Sequence, residues 1–294
     1  MSSEGSCLGV CYADNHLFYS VNNPGVKAHL KHIGCIDFNF DVQNAIISGD
    51  EHAFPALKTS LENLRETYEC SSVRILSPAV EECWTLVPRS VYEESDEREA
   101  HLQLLMHGSA RSQIETVWHT VSNIDYRLLL LRNSSAMNGF NDLLGSFNDS
   151  EYVSEFELGV EWQLHSNING AFLIIHCQKN YISVSSFILG KLRGCTYIRF
   201  DSLSDLPYLW NLYAGKISWM NGIHEEIYLF GQYSRDVAEM LTPFWDESGT
   251  INLMNNLNNM QVQADEETYG FRLESAYPAI LMSLNLNVKE QDQT

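Results

Sequence analysis

Two short turns hold the residues of this chain best placed for phosphate chemistry, and both lack the glycines that such chemistry needs. Apolar, β-branched runs at 7–12 and 16–22 flank Ala13-Asp14-Asn15, and runs at 171–177 and 181–189 flank Gln178-Lys179-Asn180. A phosphate cradle needs backbone N–H groups with no Cβ in front of them, which glycine provides. Neither dinucleotide-type nor Walker-type glycine patterns occur, and there is no G-x-S-x-G or H-E-x-x-H. Gly190-Lys191 is followed by Leu192, not Ser or Thr, and reads as a hairpin turn. His29, His32 and Cys35 have a zinc-like spacing. On an extended strand His32 faces away from the other two, so the three do not converge on a metal. His224-Glu225-Glu226 reads as the polar entrance of a buried strand.

Other clusters have plainer readings. The acidic run Glu93, Glu94, Asp96, Glu97 and Glu99 reads as a solvated face that favours the N-terminus of the next helix. Tyr208, Trp210, Tyr213 and Trp219 fall at helical spacing and read as packing. Lys191, Arg193 and Arg199 form a small basic group that reads as solvated surface.

The elements that carry these residues follow one grammar twice. Three β-rich runs open each half, at 7–12, 16–22 and 30–40, then at 171–177, 181–189 and 192–200. Short turns between them predict antiparallel pairing. In the first half 41–52 reads as a polar loop, Pro55 opens a helix to 69, and strands are predicted at 73–76 and 83–87. A helix near 98–107, an antiparallel pair at 114–121 and 126–131, and a helix at 138–147 follow. In the second half 156–164 fits helix or strand. After the three strands come helices at 203–219, 235–241 and 275–286, the last with Pro278 in its first turn. Strands are predicted at 227–230 and 251–253, and 255–267 reads as loop. The later strands, joined through helices, are expected to run parallel. The expectation is two subdomains, 1–150 and 151–294, each a mixed five-stranded sheet with flanking helices.

Length and composition agree with that size. A chain of 294 residues with 45% hydrophobic residues can bury a substantial core. A formal charge of −20 opposes binding to nucleic acid. No apolar run reaches the ~20 residues of a spanning helix. The beginning of the chain does not read as a secretory signal. Seven cysteines, mostly inside apolar runs, read as reduced thiols rather than a disulfide framework, and the Asn-x-Ser sequences at Asn133 and Asn148 are discounted. A cytoplasmic protein without membrane insertion is expected.

The order of elements resembles the actin, sugar kinase and heat-shock chaperone superfamily, an α/β class of duplicated ribonuclease H-like subdomains. Within it the chain is similar to the bacterial branch that includes PilM and FtsA, and to an uncharacterised bacterial family of degenerate actin-like folds. In ATP-binding members the first turn carries an Asp-x-Gly-Thr/Ser pattern. The resemblance lays Cys11 on the Asp and Ala13 on the Gly, with Asp14 beside them. In the second turn it lays His176 on the Asp and Gln178 on the Gly. The adenosine-side Gly-Gly corresponds to Gly231 and Gln232. Cys11 cannot supply a hard oxygen to Mg²⁺, His176 is a poor ligand for it, and Gln178 obstructs close backbone approach. The resemblance therefore implies no bound cofactor or metal, no catalytic residues, and a pseudoenzyme that binds a protein partner, a homodimer being one form. A divergent ATPase or small-molecule kinase, and a cytoplasmic adaptor of a pilus or secretion-type membrane assembly, are the alternatives. The ATPase alternative predicts an open cleft with Asp14, Lys179 and Gly231 facing one another.

Overall fold

Each main sheet is built outward from a three-stranded meander whose central strands are buried on both faces. The computed structural model describes residues 5–24, 26, 28–106, 113–120, 125–147, 149–166, 168–221, 224–245, 249–265 and 271–284. The first part runs β1 (Ser6–Ala13), β2 (His16–Asn22), β3 (His29–Asp37), α1 (Val42–Ser48), α2 (Phe54–Tyr68), β4 (Cys70–Ser77), β5 (Glu82–Pro88), α3 (Arg89–Glu93) and α4 (Ser95–Leu105). It continues with β6 (Ile114–Thr120), β7 (Tyr126–Asn133), α5 (Ser134–Leu144), β8 (Asp149–Ser154) and α6 (Leu158–His165). Then come β9 (Ala171–Cys177), β10 (Tyr181–Ile188), β11 (Lys191–Arg199), α7 (Leu206–Lys216), β12 (Glu226–Phe230), α8 (Ser234–Leu241), β13 (Thr250–Leu253), β14 (Gln263–Ala264) and α9 (Leu273–Leu284).

The second sheet has the expected five strands, in the order β11-β10-β9-β12-β13. The first has six, β14-β3-β2-β1-β4-β8, because two residues inside the segment read as loop pair with β3. In both sheets the meander is antiparallel and the helix-linked strands are parallel. Two further readings are corrected. Strands β5, β7 and β6 leave the main sheet and form an antiparallel sheet of their own. Only residues 78–81 separate β4 from β5, too few for the crossover that parallel pairing requires. The polar segment after β3 contains helix α1, capped by the Asp41 carboxylate on the Asn44 N–H (2.8 Å) and closed by Gly49 at φ 63°. Its Asp and Gly are the two ends of a helix, with Val42, Ala45 and Ile46 buried between them. The segment 158–165 is helix, and the edge strand β8, not expected from its polar sequence, pairs with β4. His107, Val121, Asn148, 266–267 and 285–286 lie outside the described residues.

Helix α9 joins the halves. All of its residues are buried, and its neighbours are β1, β2, β3 and β4 on one side and β12 and α6 on the other. The inner core clusters around it, taking Phe18 and Ile33 from the first sheet and Phe172, Ile174 and Phe230 from the second. The outer face of the first sheet packs under α1, α2 and α5; that of the second packs under α7 and α8. The seat of α9 against β1 is a backbone contact: a Cβ on Gly9 would lie 2.1 Å from the Ala279 carbonyl oxygen.

Pro278 sits inside α9 rather than in its first turn. Having no N–H, it leaves the Glu274 carbonyl, four residues back, without its helical donor. The Gly231 N–H supplies the missing bond at 2.6 Å. Gly9→Ala is expected to cost about 1–3 kcal/mol by forcing helix and strand apart, read as a lower urea midpoint. An unchanged midpoint would mean that α9 is not seated on Gly9.

Candidate functional site

The three turns that the resemblance singles out converge at the mouth between the sheets, and they are tied to one another. Asp14 occupies the left-handed region at φ 51°, where its short polar side chain is tolerated and a glycine would be at ease. Its carbonyl accepts the Val42 N–H at 2.7 Å, which fastens the turn to the start of α1. Its carboxylate meets Lys179 Nζ of the opposite turn at 3.1 Å and accepts a hydrogen bond from the Tyr233 hydroxyl. Burial first, and then the Asp14 carboxylate, push the Tyr233 phenol pKa up, so it stays a donor.

Gln178 makes the second tie. Its Nε2 donates to the Tyr12 carbonyl at 3.2 Å, while its backbone N–H donates to the Tyr181 carbonyl at 3.0 Å. Both its side chain and Ala13 are buried, so two Cβ positions and an amide stand where glycines would leave open backbone. Cys11 is also buried, with its thiol directed at the Ser275 carbonyl (3.6 Å), and burial pushes its pKa well up. Gly231 has a backbone that favours glycine. At φ 103°, a Cβ there would stand 2.4 Å from the Cys177 carbonyl oxygen. Gln232 follows it, half-buried, with its Oε1 lacking a hydrogen-bond partner among the described residues. Arg235 completes the turn with a fork onto Glu274 Oε1 (2.9 and 3.2 Å).

Behind the turns lies a buried polar network that sequence reasoning missed. Glu155 is buried and accepts from His176 Nδ1 at 2.9 Å and from the Tyr181 hydroxyl. The His176 ring stacks on Phe230 with centroids 5.1 Å apart, and its Nε2 lies 3.5 Å from Gln178 Nε2. The arrangement orients an imidazole with a carboxylate, as a catalytic dyad would. Here its free nitrogen abuts an amide within the core rather than a substrate cavity. Two residues on, Glu157 accepts from His119 Nδ1 (2.6 Å) and from the Ser154 N–H (2.7 Å). Buried Glu82 takes Arg132 Nε and the Ser77 hydroxyl, both at 2.6 Å, and the Ser154 hydroxyl. The one legible signal was two acids flanking Phe156 within an apolar run, since buried carboxylates require partners.

The other clusters take structural places. His29 pairs with Asp265 (3.3 Å), His32 stacks on Tyr68 (4.9 Å) and the Cys35 thiol meets Asp37 (3.6 Å). No group of three metal-ligating side chains forms among the described residues. Glu93 pairs with Arg89, while Asp96 and Glu97 sit in the first turn of α4. Trp210 is buried against Trp245, whereas Tyr208 is exposed.

No family model matches the sequence, and no curated protein matches it. Solved structures do. One is the PilM–PilN type IV pilus biogenesis complex, 11% identical, with a TM-score of 0.67 over 96% of this chain and 99% of the other. A Bacteroides thetaiotaomicron protein with an actin-like ATPase fold and unknown function is 14% identical, with a TM-score of 0.52 over 87% and 94%. The cytoplasmic domain of EpsL, an inner membrane component of the Vibrio cholerae type II secretion system, is 10% identical, with a TM-score of 0.50 over 95% and 93%. The chain has the actin-like ATPase fold. Among the described residues, no helix is long and apolar enough to cross a membrane.

The Glu157–His119 pair titrates with a defined sign. Burial alone would depress the His119 imidazolium, but the Glu157 charge and hydrogen bond hold its pKa above the ordinary value. Burial would raise Glu157, yet His119 and then Arg132 hold it below. The His119 contribution is complete below its unfolded pKa of ~6.5 and is lost as pH rises through the folded value; the Glu157 contribution is complete above ~4.5 and is lost on acidification. Wild-type stability is therefore expected to fall more steeply than that of His119→Gln as pH rises from neutral into the alkaline range. Parallel profiles in urea melts would show that the pair contributes nothing.

Proposed function

We propose that this protein is a non-catalytic actin-like module that works by binding other proteins. The observation that carries the reading is the direct tie between the two phosphate-type turns, Asp14 to Lys179 at 3.1 Å and Gln178 to Tyr12 at 3.2 Å. In a nucleotide-binding member, phosphate and its magnesium stand between those turns. Here a carboxylate and an ammonium neutralise one another across the gap. Asp14 and Lys179 do face each other, as the ATPase alternative requires, but in contact rather than across an open cleft. The division into subdomains 1–150 and 151–294 belongs to the same reading, with β14 and α9 reaching back to the first sheet.

The narrower reading is a cytoplasmic adaptor of a pilus or secretion-type membrane assembly. It is favoured by likeness to PilM in its complex with PilN over nearly the whole of both chains, and by likeness to the cytoplasmic domain of EpsL. Acting through a partner also suits a chain whose own turns are occupied by side chains. Any ligand that prefers the native state must raise apparent stability. A thermal-shift titration with Mg-ATP is accordingly expected to leave Tm unchanged, and a saturable rise would overturn the non-catalytic reading.

A further inference from the structure

Helix α7 buries one face and leaves the other to solvent. Leu206, Trp210 and Ala214 are buried toward the second sheet, and the opposite face carries Asp205, Tyr208, Asn211, Leu212, Gly215 and Lys216, all exposed. A solvated helix face is ordinarily charged, yet no charge occurs between Asp205 and Lys216. Tyr208 is 70% exposed and Leu212 36%. Met240 and Phe244 are exposed on the neighbouring α8 and the turn after it, where Trp245 packs on Trp210 with centroids 5.8 Å apart. The outer helices of the second sheet thus hold four of the nine large apolar side chains exposed among the described residues, which marks this surface for association.

The two ends of the face carry opposite charge. At about 100° per residue Asp205 and Lys216 fall on one flank of the apolar strip, and Asn211 falls on the other. One Asp205 oxygen accepts the Ser202 N–H at 3.1 Å, but neither Asp205 nor Lys216 makes an ion pair with a described residue. Asp205 also joins Asp201 and Arg199 in lining a cavity of about 580 Å³ at the start of α7, where carboxylates outnumber the guanidinium. That cavity suits a further cation. Gly215 is the odd residue of the strip. A Cβ there would meet nothing within 4 Å, and its φ is not left-handed, so neither packing nor a cap calls for glycine.

Two copies of α7 laid antiparallel about a two-fold axis bring like flanks together. Asp205 then faces Lys216 of the second copy, twice over, and Leu212 faces Leu212. The Asn211 amides, each both donor and acceptor, meet at the other flank. Side chains lean toward the N-terminus of their helix, so each Tyr208 ring covers the spot that a side chain at 215 of the second copy would fill. All four pairings centre on one axis beside Asn211. We propose that α7 is the two-fold interface of a homodimer, with its acid and base exchanged between copies and Tyr208 seated over Gly215. A helix of another protein would need only the apolar strip, whereas opposite charges at the two ends of one flank are what self-pairing requires. The charge of −20 on each copy opposes association at long range, and salt at about 0.15 M screens it beyond ~8 Å. This dimer is one form of the protein binding proposed above and rests on that reading.

A contact centred on one helix is smaller than a standard interface, so the full chain is expected to dissociate at about 10–100 μM in sedimentation velocity at ~0.15 M salt. Leu212→Asp, which sets like charges on the axis, and Lys216→Glu, which sets acids against Asp205, should each weaken the dimer at least about tenfold. Asp205→Lys should do the same alone. An equimolar mixture of Asp205→Lys with Lys216→Glu should restore a dimer, because every charge on the flank then meets its opposite. All three positions are exposed, and thermal melts confirm folding. If loss of the Asp205 cap unfolds its variant, Leu212→Asp and Lys216→Glu still decide. A chain monomeric at every concentration, a dimer indifferent to Leu212→Asp or Lys216→Glu, or a mixture of folded variants that stays monomeric would each overturn the interface. The two readings fail separately: Mg-ATP stabilisation strikes the non-catalytic reading whatever the mass, and a monomeric chain removes only this dimer.

Discussion

Burial of α9 between the two sheets is the constraint on which the remaining structure depends. A helix that is apolar on every side finds no solvent face, so it must be enclosed. Enclosure sets the distance between the sheets and therefore the position of every turn at their rims. The few polar groups taken inside are matched: Glu274 by Arg235, and the Ser283 hydroxyl by Ser20 at 3.0 Å and by the Ile280 carbonyl. Gly9 allows the helix backbone to meet β1 directly, and Pro278 turns one helical carbonyl outward to hold Gly231. The turn at Gly231 is thus fixed by the same helix that seals the core.

A second organising point is the turn after β8. Within residues 154–157, Ser154 and Glu157 reach the three-stranded sheet through Glu82 and His119, while Glu155 reaches the second sheet through His176 and Tyr181. Charge buried at such a junction costs desolvation and recovers it only with full pairing. That requirement explains why the donors are so many and so close. It also directs the imidazole–carboxylate pair of His176 and Glu155 into the core.

The meanders were legible because their periodicity is local. β2 and β9 span the residues read from the sequence, and the remaining strands of both meanders differ by a few residues at their ends. Helix α1 was not legible because, in so short a helix, the caps outweigh the apolar positions. Strand β14 has two residues, and only its partner β3 makes it a strand. At the site, the missing glycines could be read directly. The ties among Asp14, Lys179 and Tyr233 could not, because Tyr233 lies 219 residues from Asp14 and only the fold joins them. Likewise the aromatic residues of α7 read alike as packing until the fold buried Trp210 and turned Tyr208 to solvent.

The seating of α9 also has a kinetic meaning. The Cys7 thiol and the Met282 carbonyl that it faces are 275 residues apart in sequence. Closing so long a loop carries its entropic cost before the contact rewards it, and folds rich in such contacts form slowly. Until residues 273–284 arrive, the inner face of the first sheet lacks the helix that packs along β1 to β4, whereas the second already has Trp162 of α6 against Phe172 and Tyr228. The element that holds the finished molecule together is therefore also the one whose contacts span the greatest sequence distance, and its docking is expected to be a late step of folding.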